Sequence, residues 1–187
     1  MSKKIAVIVG SLRKDSLNRK MAKALSKLAP DTIKLEIIEI GDLPLYNQDL
    51  DDVPPAAWAK FRAEVKSCDG VLFVTPEYNR SVPGVLKNAI DVGSRPYGKS
   101  VWEGKPGAVM SVSPGAIGGF GANHHLRQCM VFLDVPMLQQ PESYVGNAAD
   151  LFNTQGEIIN DSTREFVQKF INKFAAWVTT LTQNTAK

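Results

Sequence analysis

Ser11, Arg13, Ser16 and Asn18 fall within one stretch, Gly10-Ser11-Leu12-Arg13-Lys14-Asp15-Ser16-Leu17-Asn18-Arg19, between an apolar run and a helical pattern. Two hydroxyls, an amide and a guanidinium at a helix start are all donors to an anion. The free N–H groups and positive dipole of the helix end act in the same direction, and arginine adds a charge-assisted hydrogen bond. The charge placement reinforces this. A helix dipole favours acidic residues in the first turn. Here Arg13, Lys14, Arg19, Lys20 and Lys23 face Asp15 alone, in a chain whose net charge is only +3. Such a cluster repels itself unless an anion sits among it, so the stretch reads as a phosphate site. The plainer alternative is a Ser16 N-cap on a solvated basic helix.

Two further loops have unusual chemistry. In Thr75-Pro76-Glu77-Tyr78-Asn79-Arg80-Ser81, Pro76 and the nearby Pro83 stiffen the chain. Fixed main-chain N–H and C=O groups can read a flat heterocycle, and Tyr78 offers a planar surface. The plain alternative is a loop that turns the chain. In Ser113-Pro114-Gly115-Ala116-Ile117-Gly118-Gly119, the glycines let a planar ligand approach the main chain, or simply open a helix.

Other chemistries fail on spacing. The letters G-x-x-x-x-G-K-[ST] occur once, from Gly93 to Ser100, but after a helical pattern and within a turn-rich stretch rather than between a strand and a helix, so a nucleotide-phosphate loop is not supported. The first turn lacks G-x-G-x-x-G, and Ser113 is not in G-x-S-x-G. His124 and His125 are adjacent, point to different sides of a helix, and read as one surface and one packing histidine. Glu77 and Asp91 read as isolated carboxylates. With no acid–base constellation, a cofactor is expected to carry the chemistry.

The elements that must position these loops alternate. Ile5 to Val9 is a short, β-branched apolar run and reads as a buried strand. Leu17, Met21, Leu25 and Leu28 then recur at helical spacing. Ile33, Leu35 and Ile37 alternate with Lys34 and Glu36, as in a half-exposed edge strand. After an ordered loop from Gly41 to Val53, Pro54-Pro55 open a helix through Trp58, Phe61 and Val65. Val71 to Val74 and Ala108 to Val112 are further buried strands. Each leads to a helix, one from Pro83 through Ile90 and one through Leu126, Met130 and Leu133. A weak strand is expected near Pro136 to Leu138, with loop from 140 to 160. The last helix shows a capping box, Ser162-x-x-Glu165, and an apolar face of Val167, Ile171, Phe174 and Val178. Such alternation implies a parallel sheet covered on both faces. The second and fifth strands are the weak ones, which fits the edges of the order 2-1-3-4-5. In that order the crevice opens beside strands 1 and 3, and the three unusual loops share its edge. The expected class is α/β, a flavodoxin-like doubly wound five-stranded parallel sheet forming one domain over residues 1–187.

The composition excludes several classes. Apolar residues make up 44% and charged residues 22%, ordinary for a globular protein. Basic residues do not interleave with aromatics, so nucleic-acid binding is not indicated. Cys68 and Cys129 form no metal spacing and read as buried free thiols in a reducing compartment. No leader or membrane-spanning run is seen, and a cytoplasmic location is expected.

Four motifs carry a resemblance to a known family: G-S-L-R-K-D-S-L-N at 10–18, L-P-L-Y-N-Q-D at 43–49, T-P-E-Y-N-R-S-V-P-G-V-L-K-N-A-I-D at 75–91 and S-P-G-A-I-G-G at 113–119. Together they resemble the NADPH-dependent FMN reductases, in the branch of quinone and chromate reductases. The resemblance implies that Ser11, Arg13, Ser16 and Asn18 hold the phosphate of bound FMN. It implies that Pro76, Glu77, Tyr78 and Asn79 line the ring largely through the main chain, and that Ser113 and Gly115 close the other side. It further implies a homodimer or homotetramer and ping-pong transfer of hydride from NADPH or NADH through flavin N5. The acceptors it implies are quinones, with chromate, free flavins and azo dyes as further candidates. The alternative is a flavodoxin-type electron carrier that binds FMN, although carriers commonly show an acidic docking face and this chain is net positive.

Overall fold

A computed structural model describes residues 2–183; Met1 and residues 184–187, the outer bounds of the expected domain, lie outside them. The chain runs β1 (Lys3–Val9), α1 (Leu17–Leu28), β2 (Ile33–Ile38), α2 (Ala56–Lys66), β3 (Gly70–Thr75), α3 (Gly84–Gly93), β4 (Gly107–Val112), α4 (Phe120–Phe132), β5 (Tyr144–Val145) and α5 (Asp161–Gln183). The sheet order is β2-β1-β3-β4-β5 and every pairing is parallel. This is the expected flavodoxin-like order.

Period-two alternation along the strands divides the interior into two layers. Ile5, Val7, Val9, Leu72, Val74, Met110 and Val112 face α1 and α5, where Met21, Leu25, Phe170, Ile171, Phe174 and Val178 are buried. Ala6, Ile8, Val71, Phe73 and Val109 face the other way, onto Trp58, Phe61, Leu86, Ile90, Trp102, Leu126 and Met130. The edge strand β2 keeps Lys34 and Glu36 exposed, as its alternation requires.

The loop from Gly41 to Val53 is ordered by side chains remote in sequence. Asn88 Oδ1 accepts from the Tyr46 N–H at 2.8 Å, and Asn88 Nδ2 donates to the carbonyls of Leu43 and Pro44 at 3.2 and 3.1 Å. Trp58 Nε1 donates to Pro44 O at 2.9 Å. The L-P-L-Y and K-N-A-I-D motifs therefore hold each other.

Three expectations change. The fifth strand lies at Tyr144–Val145, paired to Ser111 and Val112, inside the stretch expected to be loop. The segment 136–138 makes only a bridge at Gly107↔Met137. Pro136 and Pro141 have no N–H for a ladder, so the edge is broken into two short pieces. The last helix is capped by Asn160, not Ser162: Asn160 Oδ1 accepts from the Thr163 N–H at 2.9 Å and from Ser162 Oγ at 2.7 Å. Cys68 is buried, but Cys129 is only half-buried; both are free.

Arg19 on α1 reaches Glu39 beyond β2 with two nearly parallel bonds of 2.7 and 2.6 Å. Hydrogen bonding to Arg19 holds the Glu39 carboxyl below its ordinary range, and Glu39 raises Arg19 in return. The folded-state carboxyl is the depressed one. The pair's contribution is therefore full above the ordinary glutamate range and fades as pH falls through the depressed value.

Two measurements follow from these contacts. Asn160→Ala should cost about 1 kcal/mol of stability in urea, whereas Ser162→Ala should cost less than about 0.5 kcal/mol; the reverse ranking would restore the cap to Ser162. Glu39 is 65% exposed, so Glu39→Gln should lose only about 0.2–1 kcal/mol near pH 7. That difference from wild type should fade as pH falls below the ordinary glutamate range and through the depressed value, and a difference that persists once the carboxyl is protonated would contradict the assignment.

Candidate functional site

The carboxyl ends of β1, β3 and β4 lie side by side, so the loops 10–16, 76–83 and 113–119 meet at one sheet edge. Cross-links show how closely they meet. The Gly10 N–H donates to Val74 O at 2.9 Å. Asn18 Nδ2, at the start of α1, donates to Val112 O at the end of β4, 3.1 Å away. Glu77, after β3, reaches the first turn of α4.

In the first loop, Ser16 is the N-cap of α1, its Oγ accepting from the Arg19 N–H at 3.2 Å. Ser11 Oγ accepts from the Arg13 N–H at 3.4 Å. Both serines are buried, as is Asn18. No acidic residue stands in the first turn of α1. The cation cluster is smaller than the sequence suggests, because Arg19 is committed to Glu39. Arg13 and Lys14 remain exposed ahead of the helix. Asn18 Oδ1 is buried and meets no protein donor. Its orientation is set by Val112 O, which only the amide nitrogen can satisfy.

In the second loop, Tyr78 and Ser81 exchange main-chain hydrogen bonds of 3.1 and 3.0 Å around a two-residue tip. That tip is Asn79 and Arg80, with φ of 51° and 63°, the left-handed pair a tight hairpin requires. Pro76 and Glu77 are half-buried, while Tyr78, Asn79 and Arg80 are exposed. Glu77 is not isolated, contrary to expectation. Its Oε2 accepts from the Ala122 N–H at 3.0 Å, and its Oε1 faces Arg80 at 3.3 Å. A carboxylate at a helix N-terminus satisfies an orphan N–H and complements the dipole. Asp91 is likewise paired, to Lys87 at 2.8 and 2.9 Å.

In the third loop, Ser113 Oγ accepts from the Gly115 N–H at 3.2 Å, and Gly115 O accepts from Gly118 at 3.2 Å and Asn147 at 3.3 Å. Gly118 and Gly119 have φ of 65° and 77°, which other residues adopt at a cost. A Cβ on Gly121 would lie 2.7 Å from Arg80 O. The glycines thus let α4 begin directly against the 78–81 hairpin.

The histidines also differ from expectation: neither is packed in the core. Both are exposed, and each bonds a different loop. His125 Nδ1 is 2.9 Å from Ser81 Oγ, and His124 Nε2 is 2.9 Å from the Tyr144 hydroxyl. Burial, with Glu142 adding, pushes the Tyr144 phenol up to about 12, so it stays protonated at ordinary pH. Sequence reasoning missed His125, Tyr144 and the support from Asn147 and Ala148, whose N–H groups donate to Gly115 O and Ser113 O at 3.3 and 3.1 Å, because each acts across a long separation in the chain. Among the described residues no group of three or more His, Cys, Asp or Glu is placed to hold a metal. No helix among them is long and apolar enough to cross a membrane.

Every predicted site residue therefore lies at this edge. The arrangement offers donors to an anion at one end and stiff main chain at the other. Comparison with known proteins identifies the family. Residues 3–150 match the family described as NADPH-dependent FMN reductase. A quinone reductase of Pseudomonas putida is 66% identical over 175 residues, spanning 93% of this chain and 94% of that protein. A 2-hydroxy-1,4-benzoquinone reductase of a Burkholderia species is 49% identical, over 95% and 97% of the two chains. The solved structure of a flavoenzyme NAD(P)H:(acceptor) oxidoreductase from Paracoccus denitrificans superposes with a TM-score of 0.90 at 42% identity, covering 95% of this chain and 98% of that one. With its motifs, its sheet order and these relatives in accord, the chain belongs to the NADPH-dependent FMN reductase family.

Proposed function

We propose that the protein is an FMN-dependent NAD(P)H oxidoreductase that reduces quinones. The observation that carries this reading is the buried Asn18 beside an uncompensated helix N-terminus. Asn18 Oδ1 needs a donor that the protein does not supply, and the α1 end needs negative charge. FMN has both, a phosphate and a chain of hydroxyls.

The residues fit that group. Ser11 and Ser16 each accept one main-chain N–H, and each keeps its own hydroxyl hydrogen to donate. Arg13 is exposed, with its guanidinium free to pair with phosphate. Asn18 spends one amide hydrogen on Val112 O and retains the other, together with Oδ1. Pro76, Glu77, Tyr78 and Asn79 would hold the ring through the main chain, the Glu77 carboxylate being committed to α4. Ser113 and Gly115 would close the opposite side. When bound, FMN would supply the redox chemistry between NADPH or NADH and a quinone. The chain's own part is to seat and orient that group with fixed dipoles. Exposed cations at the rim attract anionic donors and acceptors, an effect that salt weakens. Chromate, free flavins and azo dyes are proposed as secondary acceptors.

A homodimer or homotetramer is supported by Tyr97 and Phe132, which are 90% and 88% exposed and line the same cavity of about 770 Å3 with Ile90 and Leu133. The two free cysteines support a cytoplasmic location. One domain over 1–187 is the simplest unit consistent with a single shared sheet.

Arg13→Ala should remove a charge-assisted bond of about 1.5–3 kcal/mol and weaken FMN roughly ten- to hundredfold in a fluorescence-quenching titration; an unchanged Kd would contradict the phosphate assignment. The purified yellow protein should be bleached by NADPH alone and recolour with benzoquinone over many cycles. A protein that needs a separate reductase to bleach is a carrier instead.

A further inference from the structure

The 78–81 hairpin is the least self-sufficient part of the site. It has two main-chain hydrogen bonds, and its tip is left-handed at two residues, neither of them glycine. A lone hairpin of this size is marginal in water, and left-handed residues other than glycine persist only when their surroundings determine them. Here the surroundings are one face of α4. At the hairpin's entry, Glu77 Oε2 takes the Ala122 N–H at 3.0 Å. At its exit, Ser81 Oγ lies 2.9 Å from His125 Nδ1. Ala122 and His125 are three residues apart, one turn along the same side of the helix. Gly121 beside them leaves room for Arg80 O, which a Cβ would meet at 2.7 Å.

We infer that His125 is a positioning residue for the cofactor ring. Through Ser81 it fixes the exit of the hairpin, and with Glu77 it sets where the main-chain groups of 76–79 stand. The inference rests on the FMN reading above. His125 acts through Ser81 rather than on the ring. The contact suits a steady positioning role, because a serine hydroxyl can donate to a bare Nδ1 or accept from a protonated one. His124 cannot substitute for it, being turned to the Tyr144 hydroxyl at 2.9 Å.

The test uses the full-length protein with FMN and four variants: His125→Ala, His125→Asn, Ser81→Ala and the His125→Ala/Ser81→Ala pair. The readouts are FMN Kd, the absorption maximum of the bound flavin and the melting temperature. His125 is exposed, so its truncation opens no core cavity. His125→Ala and Ser81→Ala should each weaken FMN roughly three- to tenfold, the loss expected for one hydrogen bond. Each should also shift the bound flavin's absorption while melting changes little. The pair should be no weaker than either single change, since both remove the same contact. His125→Asn, whose amide stands where Nδ1 stood, should restore wild-type affinity and spectrum. An unaltered Kd and spectrum in His125→Ala, or additive losses in the pair, would overturn the inference. If wild type itself takes up no FMN, the proposed function falls and this inference with it. If wild type binds FMN and His125→Ala binds it equally well, this inference alone falls.

Discussion

Parallel strands joined by right-handed crossovers all deliver their connections to the following helix at the same edge. That constraint gathers the N-termini of α1, α3 and α4 at the carboxyl edge of one sheet, each with partial positive charge. None of the three has an acidic residue in its first turn. The protein answers this at α4 by bringing in Glu77 from another loop. At α3 it places Pro83 as the cap residue, which has no N–H to satisfy. At α1 it supplies only the Ser16 hydroxyl. Of these three ends, α4 alone receives a carboxylate from another loop. The α1 end, where the chain order reverses between β1 and β3, is where the proposed phosphate would sit.

The local part of this was legible in the sequence. β1 from Ile5 onward, β3 and β4 are buried on both faces, and runs that are apolar but for Thr75 and Ser111 say so directly. β2 is half-exposed and alternates. Met21 and Leu25, or Ile171 and Phe174, recur at the spacing of a helix with one buried side. These signals are short-range because a strand's or helix's own period determines which side chains share a face. The sheet order followed from the weakness of the two edge strands, and the site's place followed from the order.

What stayed hidden was partnership across the chain. Arg80 stands three residues from Glu77, but the carboxylate's other partner is a main-chain N–H 45 residues away, a group that leaves no mark in the sequence. Arg19 looked like part of an anion site because Glu39 lies 20 residues on, past a strand. His125 and Ser81, 44 residues apart, gave no spacing signal at all. The Ser162–Glu165 pattern was a sound local motif overridden by a neighbour, since Asn160 reaches the Thr163 N–H first. β5 was misplaced because two residues are too few to show a period, and Pro141 interrupts the edge before them.

The same partnerships explain how a site without an acid–base pair can be catalytic. The ionisable groups near the crevice are largely occupied: Glu77 by α4, His125 by Ser81, His124 by Tyr144, and Tyr144 by its own raised pKa. Each is used in a contact between loops. Hydride transfer through a bound cofactor does not call for an acid–base pair of side chains. It needs the ring held still and its electron density biased by dipoles that do not reorganise. In the proposed reading, a hairpin held at both ends, a proline on each side of it and a glycine turn anchored to residues 147–148 would supply that stillness through main chain. Side chains that would otherwise be candidates for catalysis are used here as struts. The specificity of such a site then lies in the shape of its backbone, which is why substitutions that change no chemistry at the ring can still be expected to alter its affinity and colour.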